Sequence, residues 1–144
     1  MNHSSLIADV RKAFIHQLTY FEENATNLLE TNYAEQFREK SLLGVNIKRY
    51  AALLTSLLKR NDDAMLVTLE QVVVIGSEVT IAYDDGTQDT FTVVLPSDVN
   101  PDHNRISLFS PLGNRLLSRT KGDKVAVQTP EFEYEVQIIA IKAP

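Results

Sequence analysis

Apolar residues recur every three or four positions through the first sixty residues: Leu6, Val10, Phe14, Leu18, Phe21, Ala25 and Leu28, then Phe37, Ser41, Gly44, Ile47, Ala51, Leu54 and Leu58. That spacing keeps one face in line along a helix. From Ser4 to Arg60 there is no proline and a single glycine, Gly44. Two helices are predicted, with the break near Glu30-Thr31-Asn32-Tyr33, where Thr31 or Asn32 can cap the second. Arg38, Lys40, Lys48, Arg49 and Lys59 supply its wet face. The expected object is an antiparallel helical hairpin (coiled coil), each arm about 27 residues and roughly 40 Å long. Two such helices share one thin seam and need support from another domain.

After Lys59-Arg60-Asn61-Asp62-Asp63 the pattern changes from helical to alternating, which places a domain boundary there, with domains 1–63 and 64–144. Val72–Ile75, Glu78–Tyr83, Thr90–Leu95, Arg105–Phe109, Lys124–Thr129 and Tyr134–Ile141 are predicted as strands. Asp84-Asp85-Gly86-Thr87 is a hairpin turn, since Gly86 takes positive φ without steric cost. It is too short for a calcium loop. Pro96–Asn104 is a polar loop. Ser110-Pro111 opens a short helix through Leu116 and Leu117, with serine as N-cap and proline at the first position. The fold class expected is α+β: a helical hairpin followed by an antiparallel sheet domain with one short helix.

Composition narrows the chemistry. The 144 residues include no cysteine, so disulfides, thiolate catalysis and cysteine-ligated zinc are excluded. His3, His16 and His103 are dispersed and suggest no metal site. No apolar run reaches the roughly 18 to 20 residues of a membrane span, and the N-terminus lacks the order of a signal peptide. A cytoplasmic protein without membrane contact is expected. There is no Gly-rich phosphate loop and no Ser/His/Asp grouping. The net charge of −5 argues against gripping phosphates, and it is unevenly placed. Residues 1–63 carry eight bases and eight acids, residues 64–144 six bases and eleven acids.

One ordered pattern runs through the second half: Ile75-Gly76-Ser77-x-Val79, a hairpin, Arg105-Ile106-Ser107-x-x-Ser110-Pro111-Leu112-Gly113, Gly122-Asp123-x-Val125, and a hairpin containing Pro130. Over residues 72 to 141 it resembles the C-terminal domain of the Gre factors, bacterial transcript-cleavage proteins that bind RNA polymerase. The resemblance implies an FKBP-like domain preceded by an antiparallel coiled coil. It also implies docking at the rim of the polymerase secondary channel, with the coiled coil entering to bring its tip near the catalytic Mg²⁺. Ser107, Ser110, Pro111, Gly113 and Gly122-Asp123 have two readings: they shape the fold, by capping, packing and turning, or Ser107, Ser110, Pro111 and Leu112 belong to the docking surface. Asp98, Asp102 and Arg105 are docking candidates beside them, and an acidic domain suits a basic protein partner.

The family's chemistry belongs to the tip, where a motif resembling G-D-L-x-E-N-A-E-Y supplies an acidic pair for a second Mg²⁺. Counted back without gaps from Ile75-Gly76, the family Asp falls on Leu28 and the Glu on Thr31, leaving Leu29 and Asn32 in agreement. Matching Glu23-Asn24-Ala25 to E-N-A puts Tyr20 where the Asp should be and leaves unequal arms. Between Ala13 and Phe37 stand Glu22, Glu23, Glu30 and Glu35 and no Lys or Arg, while Arg11, Lys12, Lys59 and Arg60 lie at the other end of the hairpin. These glutamates are either a solvated helix face or tip acids, Glu30 and Glu35 above all, reaching toward the polymerase metal or a basic channel wall. Tyr20, Phe21, Tyr33, Phe37 and Tyr50 suit a seam better than a base-stacking platform.

The expectation is a regulator of transcription elongation that binds RNA polymerase without strong stimulation of cleavage. It is expected to be no enzyme itself, to need no cofactor or metal beyond indirect contact with the polymerase Mg²⁺, to read no DNA sequence, and to be a monomer rather than a dimer. Two alternatives stand beside it. One is a genuine cleavage factor whose acids are Glu30 and Glu35, or Glu22 and Glu23, in a shifted tip. The other is an FKBP-like interaction or chaperone module that dimerises through its helices, with prolyl isomerase activity not expected.

Overall fold

The computed structural model describes residues 3–33, 37–60 and 63–144, and the side chains of 5–24, 44–60 and 64–144. The chain divides into two units, Met1–Leu66 and Val67–Pro144.

In the first unit, α1 spans His3–Tyr33 and α2 spans Phe37–Leu58. Thr31 and Asn32 therefore lie inside α1, and neither caps α2. No glycine or proline interrupts α1, and a Thr or Asn in a helix interior costs only about 0.7 kcal/mol or less, so the predicted break does not occur there. The contacts of Arg11 with Leu58 and of Gln17 with Tyr50 run in opposite chain directions, so the helices are antiparallel.

The buried stripe on α1 is Val10, Phe14, Gln17 and Phe21, and on α2 it is Tyr50, Leu54 and Leu57. The sequence placed Leu18, Ala51 and Leu58 on that face, and all three are only half-buried. The reason is chemical. The Tyr50 hydroxyl donates to Gln17 Oε1, so a polar residue is stable at 5% exposure in the seam where an apolar count passes over it. Phe21 packs edge-on against Tyr50, ring centroids 5.9 Å apart. The Arg11 guanidinium donates to the carbonyls of Leu58 and Arg60, satisfying acceptors that the end of α2 leaves without helical partners.

A short helix that the sequence did not suggest, α3 (Asp63–Leu69), follows. The second unit then forms a mixed α+β structure. Its strands are β1 (Glu78–Tyr83), β2 (Gln88–Val94), β3 (Arg105–Ser107), β4 (Lys124–Gln128) and β5 (Glu133–Lys142), in the order β3-β2-β1-β5-β4. The helix α4 (Pro111–Leu116) lies between β3 and β4 in sequence. Alternate residues Val79 and Ile81 of β1, Val125 and Val127 of β4, and Val136 and Ile138 of β5 are buried, and Val93, Val94, Leu108, Leu116 and Leu117 are buried with them.

Two expectations are corrected. Val72–Ile75 is not a strand. Its four residues are all buried, and Val73 bonds to the segment after α4: its N–H donates to the Arg119 carbonyl at 2.8 Å and its carbonyl accepts from Ser118 N–H at 2.9 Å, while Val74 N–H turns to Ser77 Oγ at 2.9 Å. A continuous apolar run marks burial without fixing strand pairing. The sheet is also not wholly antiparallel, because β3 pairs parallel to β2, Thr92 opposite Arg105 and Val94 opposite Ser107. The loop between them contains two 3₁₀ turns, Pro96–Asp98 and Pro101–His103, and doubles back instead of making a hairpin. The predicted hairpin does form between β1 and β2. Gly86 has φ of 87°, and Asp85 Oδ1 accepts from Thr87 N–H and from its hydroxyl.

The Gln17–Tyr50 pair makes a clear expectation for stability. Tyr50→Phe removes a donor from a buried amide and should cost about 1–3 kcal/mol, whereas Gln17→Leu added to Tyr50→Phe should cost less than the two single changes summed. Urea unfolding of the full chain, followed at the helical circular dichroism band, measures the coupling. Strict additivity would show that the two side chains do not act together.

Candidate protein-docking site

Ser107 closes β3, and its carbonyl then takes two donors from Ser110: the backbone N–H at 3.0 Å and the hydroxyl at 2.7 Å. The Ser110 hydroxyl oxygen in turn accepts from Gly113 N–H at 3.1 Å, and Ser110 has the extended backbone of an N-cap, φ −66° and ψ 157°. Ser107 Oγ accepts from Phe109 N–H at 3.0 Å. Pro111 occupies the first turn of α4, where no N–H is needed. The helix begins so close to the strand that a Cβ on Gly113 would stand 2.1 Å from the Ser107 carbonyl oxygen.

Strand end, serine cap and glycine thus form one clamp. Both serine hydroxyls are engaged within it, so Ser107 and Ser110, each half-buried, shape this surface. Pro111 is exposed above the clamp and Leu112 is half-buried beside it.

Next to the clamp, Thr92, Ser97, Asp98, Val99, Asn100, His103 and Arg105 line an open groove of about 560 Å³. Arg105 organises it. Its N–H and carbonyl pair with the Asn100 carbonyl and N–H at 3.0 Å each, and its Nε donates to the Asp98 carbonyl at 3.2 Å. Asn104 takes a left-handed backbone, φ 54°, and its amide donates to the Thr90 carbonyl at 3.1 Å, tying the loop to β2. Asn100 Oδ1 accepts from Asp102 N–H at 3.1 Å. The groove brings Asp98 and Arg105 together, while Asp102 stands exposed on the second 3₁₀ turn outside its lining.

Ser97, Val99, Asn100 and His103 lie in the Pro96–Asn104 loop that the sequence reading places in the docking surface, although it singles out none of the four. The prolines that start each 3₁₀ turn, Pro96 and Pro101, were the available signal. Glu30 and Glu35, the candidate tip acids, lie outside the residues whose side chains the structure describes. Among the described residues, no group of three or more His, Asp or Glu is placed to hold a metal ion, and no helix is long and apolar enough to cross a membrane.

Gly122-Asp123 serves the turn into β4. Asp123 Oδ2 accepts from Thr120 N–H at 2.9 Å and from its hydroxyl at 3.0 Å. The Thr120 amide holds the Asp123 carboxyl below the usual carboxylate range.

Gly113→Ala must push α4 off the Ser107 carbonyl and should cost about 2–3 kcal/mol, and Ser110→Ala, which loses only the cap, about 1 kcal/mol. Thermal unfolding of the two variants gives the order, and a harmless Gly113→Ala would contradict the clamp. Asp123 gives a pH dependence. A carboxyl whose folded pKa is lowered contributes stability above its unfolded value of about 3.9 and loses it as pH falls through the folded value. The stability gap between the unaltered chain and Asp123→Asn should therefore be present at pH 7 and close below about pH 4. Equilibrium unfolding across that range tests it, and a gap unchanged by pH would contradict the assignment.

Comparison with known proteins bears directly on this half of the chain. Residues 68–143 match the family described as transcription elongation factor GreA/GreB, C-terminal domain. The transcription elongation factor GreA of Geobacillus kaustophilus is 43% identical over 72 residues, covering 49% of this chain and 46% of that protein. GreA of Bacillus cereus is 40% identical over 72 residues with the same coverage. The match spans just under half the length of each relative. Among solved structures, the GreA factor homolog 1 protein of Thermus thermophilus is 23% identical, covers 92% of this chain and 94% of its own, and has a TM-score of 0.46. A GreA/GreB elongation factor from Nitrosomonas europaea is 27% identical over 49% of this chain and 60% of its own, with a TM-score of 0.44. On the sequence match over residues 68–143, which takes in the clamp and the groove, the chain belongs to the GreA/GreB transcription elongation factor family.

Proposed function

We propose that this protein regulates transcription by binding RNA polymerase at its secondary channel and modulating elongation, without strong stimulation of transcript cleavage. The match of residues 68–143 to the family's C-terminal domain carries the choice of partner. The clamp and groove offer the docking surface, with Pro111, Leu112, Asp98 and Arg105 as contacts and Asp102 at the margin. A five-stranded sheet with one short helix against it suits an FKBP-like domain. The antiparallel helices, buried at Val10, Phe14, Gln17 and Phe21, suit a coiled coil that enters a channel.

The reading against cleavage rests on the count back from Ile75-Gly76 without gaps, which puts Leu28 and Thr31 at the positions of the family's acidic pair, and on the alternative register through Glu23-Asn24-Ala25, which does not restore both acids either. A tip lacking two convergent carboxylates gives a hard divalent cation no pair of oxygen ligands. Such a tip obstructs or tunes the polymerase without recruiting a metal, and any cleavage chemistry belongs to the polymerase. On this reading the protein acts as a monomer in the cytoplasm, holds no cofactor, and reads no DNA sequence.

The test uses purified bacterial core polymerase and the full chain. Co-elution is expected, weakened about tenfold by combined Arg105→Ala and Pro111→Ala, the size of an ordinary interface hot spot. Added to a backtracked complex, the protein should leave 3′-end cleavage near its intrinsic rate. Robust cleavage abolished by Glu30→Ala or Glu35→Ala would make it a genuine cleavage factor instead. Failure to co-elute, with a stable dimer through the helices, would favour the interaction-module reading.

A further inference from the structure

The tips of the two hairpins, β1–β2 and β4–β5, meet at one end of the sheet, because Tyr83 at the end of β1 lies opposite Val136 near the start of β5. Three aromatic rings cluster there. Tyr83 and Tyr134 have centroids 6.2 Å apart, and Tyr134 and Phe132 5.6 Å apart. Phe132 is 59% exposed. Its exposure is not the result of a slack loop. Thr129 N–H donates to the Phe132 carbonyl at 2.9 Å, and Phe132 N–H donates to the Thr129 hydroxyl oxygen at 3.1 Å, so the turn that carries the ring is closed from both sides.

The Tyr83 hydroxyl donates to Asp89 Oδ2 at 2.8 Å, which fixes the ring at the other side of the cluster. Burial first, and this carboxylate second, push Tyr83 up to about 12, so the ring stays a neutral donor.

The charged residues that the two tips themselves carry have one sign, and the nearest base shown by a contact, Arg115 of α4, is held by its Nε on the Ala126 carbonyl of β4. Asp84, Asp85, Asp89, Glu131, Glu133 and Glu135 fall within these tips, and no Lys or Arg occurs between Arg60 and Arg105 or between Lys124 and Lys142. Glu133 and Glu135 alternate with Tyr134 along β5 and project from the other face, so Asp89, bonded to Tyr83, is the carboxylate at the rings. A firmly presented aromatic group beside a carboxylate on an acidic tip fits a cation that can stack on a ring face and hydrogen-bond to oxygen. The planar arginine guanidinium does both, and the lysine ammonium does not stack as a plane. The same charge excludes a nucleic-acid backbone. This end of the sheet lies at the opposite end of β2 from the Ser107–Gly113 clamp, since Asp89 is near the start of β2 and Val94, opposite Ser107, is at its end.

We propose that the paired hairpin tips are a second interaction surface, on which Phe132 and Tyr134 receive an arginine-bearing segment of a protein partner. The occupant is an exposed basic peptide strand, with the rings taking the guanidinium face and Asp89 its edge, the other acids of the tips adding long-range attraction.

The experiment titrates the isotope-labelled full chain with a synthetic peptide of alternating arginine and glycine, and separately with its lysine counterpart, at physiological salt, following backbone amide NMR shifts. Shifts concentrated in residues 83–89 and 129–135, binding at least several-fold tighter for the arginine peptide, and about tenfold weaker binding by Phe132→Ala would support the surface. Phe132 is exposed, so that variant keeps its fold, which its own spectrum verifies. Equal affinity for both peptides with no effect of Phe132→Ala would mean general attraction to an acidic domain and overturn the proposal. So would a dimer in sedimentation that Phe132→Ala dissociates, since a second copy would then be the occupant.

Discussion

The approach of Gly113 to the Ser107 carbonyl, where a Cβ would meet the oxygen at 2.1 Å, controls more of the second unit than its size suggests. That carbonyl also accepts twice from Ser110, so three consecutive decisions of the chain are taken at one oxygen: where β3 stops, where α4 starts, and how near the helix lies to the strand. Because α4 is only Pro111–Leu116, it has too few residues to be stable alone. Its place comes from the cap, from Leu116 in the core, and from Arg115 Nε, which donates to the Ala126 carbonyl at 2.9 Å and ties the helix to β4. The clamp at one end and this bond at the other fasten the helix between β3 and β4, the two outer strands of the sheet. Pro111 and Leu112 are presented as a by-product of that fastening.

How much of this was legible depends on how local each cause is. The β1–β2 hairpin follows from Asp85, Gly86 and Thr87 alone, which make their turn within four residues, and Ser110-Pro111 carries its own cap. Such elements can be read from a short window. β3 could be recognised as a strand but not as a parallel one, because its direction depends on the path of the loop through Pro96–Asp98 and Pro101–His103. The groove suffered the same fate. Asp98 and Arg105 were visible as charged residues, but their meeting depends on the Arg105–Asn100 backbone pair, which no periodicity encodes. α3 escaped because seven residues hold too few turns for a helical period, and the polar run before it marked a boundary instead.

The helical unit shows a different limit. Its seam was predicted from apolar spacing, and Val10, Phe14, Phe21 and Leu54 are indeed buried. Tyr50, read as a seam aromatic, is buried as well, and it is at Gln17 that the face departs from the apolar spacing, because the Tyr50 hydroxyl makes a buried amide acceptable there. A polar pair in an otherwise apolar seam also favours one register, since sliding either helix by a turn would leave both groups buried without each other. Register matters for any function that depends on where one helix stands against the other, because a one-turn slip displaces it by about 5 Å. The seam is therefore built for position as well as for stability.

Charge completes the separation of tasks. The helical unit is balanced overall, and the second unit holds the whole excess of acid, much of it at the hairpin tips. Carboxylates near a turn are tolerated when the backbone or a hydroxyl uses them. Asp85 accepts from Thr87, and that bond keeps its carboxyl below the usual range. The same accounting does not extend to Phe132, whose apolar ring remains in water although its turn is closed by two hydrogen bonds. A flexible loop could fold such a ring inward; a closed turn holds it out. Exposed apolar area that the backbone actively maintains points to a partner more strongly than the same area on a loose segment. An acidic surround then selects among partners by repelling anions at a distance before any contact forms.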